Sequence, residues 1–325
     1  MVIQATHYPN LDGWRGISIL LVLITHLMPL GPEVWKLDDI TGLLGMAIFF
    51  TLSGFLITSF LLKCHSIKVF LIRRFSRIIP LAWLYLLIAL WWVSAPLEDY
   101  LPHFLFYANW SPMPLTHTTG HIWSLCLEMQ FYIGVALLFY IFKQQGLLLL
   151  PLFAIIITIV RISNHIYDDI HTYYRIDEIF VGCTLALIYH NKLGKFLPRL
   201  LSSINQPLLI ILALISCHPV GDFMNYFRPY IVAMLVGSTL YQPQSFLNPY
   251  LNLKIFLYLA SISYALYVIH PILLHTWLGE GEFIIKALKR FPLLLILFAL
   301  AHVSTFYYEH KWINLGKKIS KQSST

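Results

Sequence analysis

Charge is scarce in this chain. Only 11% of its 325 residues are Asp, Glu, Lys or Arg, against about 25% in an ordinary soluble domain. So few charges cannot cover a water-facing surface. Paired cysteine is missing too. Cys64, Cys126, Cys183 and Cys217 stand far apart, with no Cys-x-x-Cys and no Cys/His pair at metal spacing, which argues against a disulfide framework and against a zinc or other metal site. There is no fixed-period repeat and no low-complexity tract, and no soluble domain is expected at either end. Asp12 and Arg15 sit where the apolar core of a signal peptide would start, and no small-residue cleavage site follows, so the first apolar stretch is expected to stay in the protein. Nucleic-acid binding needs basic residues gathered with stacking aromatics. Here the aromatics lie inside apolar runs.

Apolar length is what the chain has instead. Hydrophobic residues make up 58%, and the mean hydropathy is +0.71. Ten apolar segments lie near 13–31, 42–62, 78–95, 123–142, 146–161, 176–190, 207–219, 228–242, 254–276 and 291–309. They predict an all-α polytopic membrane helix bundle of about ten transmembrane helices. It forms a single domain over 1–325, with a core of about 8–318 and a short polar tail at 317–325. An even number of spans puts both termini on one side. Basic residues favour that side two to one, so both termini are predicted to be cytoplasmic, and the net charge of +7 reads as membrane orientation.

The first segment carries two polar residues that need a reason. Arg15 and His26 are eleven positions apart, which puts them on one helix face, about 16 Å apart along the axis. An ionisable residue inside a membrane helix is a functional candidate. Glu128 enters from the outer side in the fourth segment, at about the depth of His26, roughly 8 Å in. A carboxylate beside an imidazole fixes its tautomer and raises its basicity, which suits a general base; a structural ion pair is the alternative. Arg73, Arg74 and Arg77 form the strongest basic cluster, at the cytoplasmic mouth of the third segment. They read either as a topology anchor or as a phosphate clamp, since arginine forks match phosphate oxygens. Ser53 lies among small residues in the second segment, which also fits close helix packing. Asp177 and Glu178 open the sixth segment, where acids suit the positive end of a helix.

These stretches, in this order, resemble the acyltransferase-3 family of integral membrane acyltransferases. Leu11-Asp12-Gly13-Trp14-Arg15-Gly16 through His26 is similar to its opening motif. Phe49–Ile57 resembles its second motif, Arg74-Phe75-Ser76-Arg77 its Arg-x-x-Arg, and His121–Tyr132 its Trp-Ser-Leu-x-x-Glu-x-Gln-Phe-Tyr signature. Ser261–Pro271 is similar to its ninth-helix motif.

The resemblance implies transfer of an acyl group, usually acetyl, from cytoplasmic acyl-CoA to a hydroxyl of a carbohydrate handled at the outer side. Acyl-CoA is then a donor substrate, and no cofactor is held permanently. Catalysis is expected from His26 and Glu128. Acyl-CoA binding is expected from Arg15, Arg73, Arg74 and Arg77, and substrate contacts from Asp12, Ser53, Asn109, Trp123, Ser124 and Tyr132. The expected location is the bacterial inner membrane, and the expected acceptors are lipopolysaccharide, capsule, exopolysaccharide or peptidoglycan. Members with a fused SGNH esterase-like domain continue well past the tenth helix, and this sequence has no Gly-Asp-Ser. It is therefore expected to work alone or to hand the acyl group to a separate periplasmic or glycan-assembly protein. A flippase for a lipid-linked sugar shares the bundle and the buried charges, but needs no CoA.

Overall fold

The computed structural model describes residues 8–28, 30–64 and 66–322, with no strand among them. Each of the ten apolar segments falls on a helix: α1 Pro9–Leu27, α2 Leu37–Lys63, α3 Ile67–Trp92, α4 Trp123–Gly146, α5 Leu150–Ser163, α6 Asp177–Tyr189, α7 Gln206–Cys217, α8 Arg228–Tyr241, α9 Lys254–Leu274 and α10 Phe283–Val303. A π-helical turn, Ser304–Glu309, joins α10 to α11, His310–Gln322. Among the described residues, four helical runs are long and apolar enough to cross a membrane: α2, α3, Gly120–Ser163 and α9. Phe196–Ser203 and α7, bent by 95°, make a fifth if they form one span.

Three boundaries differ from the sequence reading, each for a local reason. α1 stops at Leu27 because Met28 is already extended (φ −114°, ψ 142°), as steric clash demands of a residue before proline. α3 starts eleven residues early, at Ile67, where the Ser66 hydroxyl accepts the Val69 amide at 3.3 Å as an N-cap. Residues 317–322, expected as a polar tail, continue α11.

The described residues form two compact units. The first is drawn from 1–65, 138–169 and 173–261. In it, α2 packs against α1, α6 and α8, and α6 also packs against α5. Its core gathers Trp14 from α1, Ile48, Leu52 and Phe55 from α2, Leu185 and Ala186 from α6, and Val232 and Val236 from α8. The α2–α6 crossing depends on two glycines. A Cβ at Gly54 would meet the carbonyl oxygen of Ile179, and one at Gly182 would meet that of Thr51. Backbone cannot move aside as a flexible side chain can, so small residues here set how closely the helices approach. Gly182→Ala is expected to cost about 1–3 kcal/mol through overpacking. The check is a lowered melting temperature of the detergent-purified protein; an unchanged one would mean the crossing tolerates the methyl group.

The second unit is drawn from 66–137, 170–172 and 262–325. α3 packs against α11 and against the π-helical turn. Two tyrosine hydroxyls donate to carbonyls of the α3 stretch that contains Pro80: Tyr264 to Ile78 at 2.6 Å and Tyr308 to Pro80 at 3.3 Å. The 96–122 segment is folded onto this unit. His103 is fully buried between the Asp99 carbonyl (2.7 Å) and the Thr119 hydroxyl (3.0 Å). Tyr85 donates to the Thr118 carbonyl at 2.6 Å.

Candidate functional site

The candidate residues divide between the two units. In the first, Asp12 and Arg15 lie one turn apart on α1, and Arg15 Nη1 donates to Asp12 Oδ1 at 3.4 Å. Both are half-buried. His26 occupies the last turn of α1 with its side chain exposed, one residue from the helix end rather than five. The last turn of a helix favours a cation, because its carbonyls point that way unpaired. Exposed at that end, the imidazole is accessible to a substrate. Ser53 is buried in the middle of α2.

In the second unit the arginines sit inside α3, in its second and third turns, and not at its mouth. Each has a different neighbourhood. Arg73 Nε donates to the Ser320 hydroxyl of α11 at 3.3 Å. Arg74 lies within electrostatic reach of Glu128 and Tyr132. Arg77 lies within electrostatic reach of Glu309 and Tyr264. Glu128 is buried, and its carboxylate accepts a short hydrogen bond from the Tyr132 hydroxyl one turn along α4. Within its own unit the carboxylate serves Tyr132 and lies within electrostatic reach of Arg74. The other motif residues are held in hydrogen bonds. The Ser124 and Tyr267 hydroxyls are 2.6 Å apart. Asn109, fully buried, donates to the Ile170 carbonyl (3.0 Å) and the Thr172 hydroxyl (2.9 Å) and accepts from Gln130 (3.0 Å). Trp123 is half-buried at the start of α4. Among the described residues no His/Cys/Asp/Glu group has the arrangement of a metal site.

Sequence reasoning missed Glu309 and Tyr264, which contribute a second acid and a second phenol to the arginine row. Their signal was faint. Glu309 lies at the end of the tenth segment, and only the π-helical turn gathers the Ser304 (3.1 Å) and Thr305 (3.2 Å) hydroxyls onto its carboxylate. Single π-turns occur often at functional sites. It also missed a buried ion network in the first unit, where Arg161 Nη1 bonds Asp177 Oδ2 at 2.6 Å and Arg228 Nε bonds Glu178 Oε1 at 2.9 Å. Asp177 and Glu178 are thus more than helix-end acids.

A row of guanidiniums, a hydroxyl-bonded carboxylate and an accessible imidazole can do anion binding and proton transfer. The family Acyl_transf_3, described as an acyltransferase domain, matches residues 8–310. The chain belongs to this acyltransferase-3 family. It is 26% identical over 320 residues to the putative peptidoglycan O-acetyltransferase YrhL of Bacillus subtilis, covering 81% of this chain and 48% of that protein. It is 25% identical over 316 residues to the peptidoglycan O-acetyltransferase OatA of Listeria monocytogenes, covering 81% and 49%. A putative O-acetyltransferase of Staphylococcus aureus is 25% identical over 337 residues, covering 85% and 52%. The chain spans about half the length of these curated relatives. No solved structure matches it. Within the acyltransferase domain of this chain, Asp12, Arg15, His26, Arg74, Arg77 and Glu128 all fall between residues 8 and 310.

Proposed function

We propose that this protein is a multi-pass inner-membrane O-acetyltransferase that uses cytoplasmic acetyl-CoA and acetylates a hydroxyl of an envelope polysaccharide at the outer side. The observation that carries this reading is the row of three arginines on one helix of an acyltransferase domain. The phosphates of acyl-CoA are anions that guanidinium forks suit. Arg73, Arg74 and Arg77 take those phosphates, and Arg15, braced by Asp12, adds a further positive group. Glu128 and Tyr132 hold the position and charge balance of Arg74. His26 is the base. It removes the proton from the acceptor hydroxyl, whose oxygen attacks the thioester carbonyl. The C–S bond breaks, and the CoA thiolate leaves and takes up a proton. In the other order His26 is acylated first and passes the group on. Ser53, Asn109, Trp123 and Ser124 are proposed to shape the substrate surfaces of their own units. The peptidoglycan named for the relatives makes a glycan hydroxyl the first acceptor to test.

The test is release of free CoA thiol by the purified protein given acetyl-CoA and a glycan acceptor. Acceptor-dependent release is expected. Movement of a lipid-linked sugar without CoA release would establish the flippase instead. Arg74→Ala and Arg77→Ala are each expected to weaken acyl-CoA binding about 10-fold or more, on the basis of about 1.5–3 kcal/mol for a hydrogen bond to a charged group. Calorimetry with a non-hydrolysable CoA analogue checks this. Unchanged affinity would leave these arginines as topology anchors.

A further inference from the structure

The buried charges of the first unit do not balance. Arg161, Arg175 and Arg228 have side chains 1%, 2% and 0% exposed, and the two acids among them, Asp177 and Glu178, are fully buried. Arg161 and Asp177 neutralise one another at 2.6 Å. Glu178 faces two cations at once: its Oε1 accepts a hydrogen bond from Arg228 Nε at 2.9 Å, and its Oε2 lies 3.3 Å from Arg175 Nε as a charge contact. Three buried guanidiniums against two buried carboxylates leave one positive charge over. The protein cannot leave such a charge bare, because a buried ion must be paired or it drives the fold apart.

The balancing charge comes from the rim. Asp168, on the connection between α5 and α6, is 51% exposed; it pairs with Arg175 Nη1 and stands 3.8 Å from Arg228 Nη2. Arg228 itself is incompletely served. Its Nη1 and Nη2 are buried and make no hydrogen bond among the described residues. Buried donors are almost always satisfied, so a guanidinium fork without an acceptor points to a group that arrives later.

We propose that Arg175 and Arg228 form a carboxylate-binding subsite, which Asp168 occupies until an external carboxylate displaces it. The stand-in defines the ligand class, since Asp168 presents a carboxylate to both cations. An incoming organic carboxylate keeps the buried charge balanced and supplies acceptors for the Arg228 fork, while Asp168 returns to water. A neutral sugar would leave the excess charge bare. The subsite therefore selects a sugar acid over its uncharged counterpart. That this sugar acid is the acyl acceptor rests on the transfer reading above; carboxylate binding itself does not.

The probe is D-glucuronate, titrated into the detergent-purified full chain without acetyl-CoA and read by thermal unfolding at constant ionic strength. Saturable stabilisation is expected with D-glucuronate, and none with D-glucose or the methyl ester of glucuronate. Asp168→Ala removes the internal competitor at a half-exposed position and is expected to tighten glucuronate binding at least tenfold. Arg228→Lys is expected to lose it. No saturable effect in either the wild type or the Asp168→Ala protein would overturn the proposal. So would equal stabilisation by glucose, or by inorganic phosphate in preference to glucuronate. If Arg228→Lys does not fold, the Asp168→Ala comparison decides alone. Binding without CoA release would count against the transfer reading only, and CoA release without binding would count against the subsite only.

Discussion

His26→Ala is expected to abolish acyl transfer while the protein still inserts and folds. Positioned general acid–base catalysis is typically worth about 10²–10⁴-fold, and a covalent relay through the same imidazole would lose more. The fold should tolerate the change. His26 is an exposed side chain in the last turn of α1, while the buried anchors of that helix, Trp14, Ile19, Val22 and Leu23, are untouched. Substitutions at exposed positions usually shift stability by only about ±0.5 kcal/mol. The measurement is the rate of acceptor-dependent CoA release, normalised to protein in the membrane. A variant that transfers at near the wild-type rate would remove His26 from the chemistry. Mass spectrometry of the wild type with acetyl-CoA and no acceptor separates the two orders of events, since an acyl-histidine appears only in the relay.

Asp177→Ala is expected to have the largest effect on stability. It leaves Arg161, 1% exposed, without its carboxylate at 2.6 Å. It also takes from the Thr158 hydroxyl an acceptor at 3.3 Å. Breaking a buried pair by removing one partner costs about 3–5 kcal/mol, a large share of the about 5–15 kcal/mol that holds a typical domain together. Loss of a monodisperse folded peak in detergent, or a steep fall in melting temperature, is the expected result. The double variant Arg161→Met/Asp177→Leu should recover most of the loss, because replacing both charges leaves no ion buried alone. If Asp177→Ala melts like the wild type, the Arg161–Asp177 pair does not hold the fold together.

Local pattern determined much of this protein. The ten apolar segments became helices because a run of apolar residues carries its own instruction: backbone groups kept from water must bond within the segment. The acyltransferase motifs were equally legible, since Arg15 and His26, or Arg74 and Arg77, lie within a few turns of each other and helical geometry alone relates them. Even the boundaries that shifted had local signs, with Pro29 after Met28 and Ser66 ahead of α3.

Tertiary structure decided the partners. Arg228 and Glu178 are separated by 50 positions, and Tyr264 and Ile78 by 186. No periodicity links such residues; only the packing of their helices does. Asp177 and Glu178 looked fully explained by the helix dipole because that effect is visible within a single helix. Their true setting, among three buried arginines, depends on α5 and α8 packing against α6, and that in turn on Gly182 admitting the backbone of α2. Hydropathy specifies which residues leave water. Which charges then meet is fixed by the close packing of several helices at once, because an ion out of water needs its counter-ion within a few ångströms.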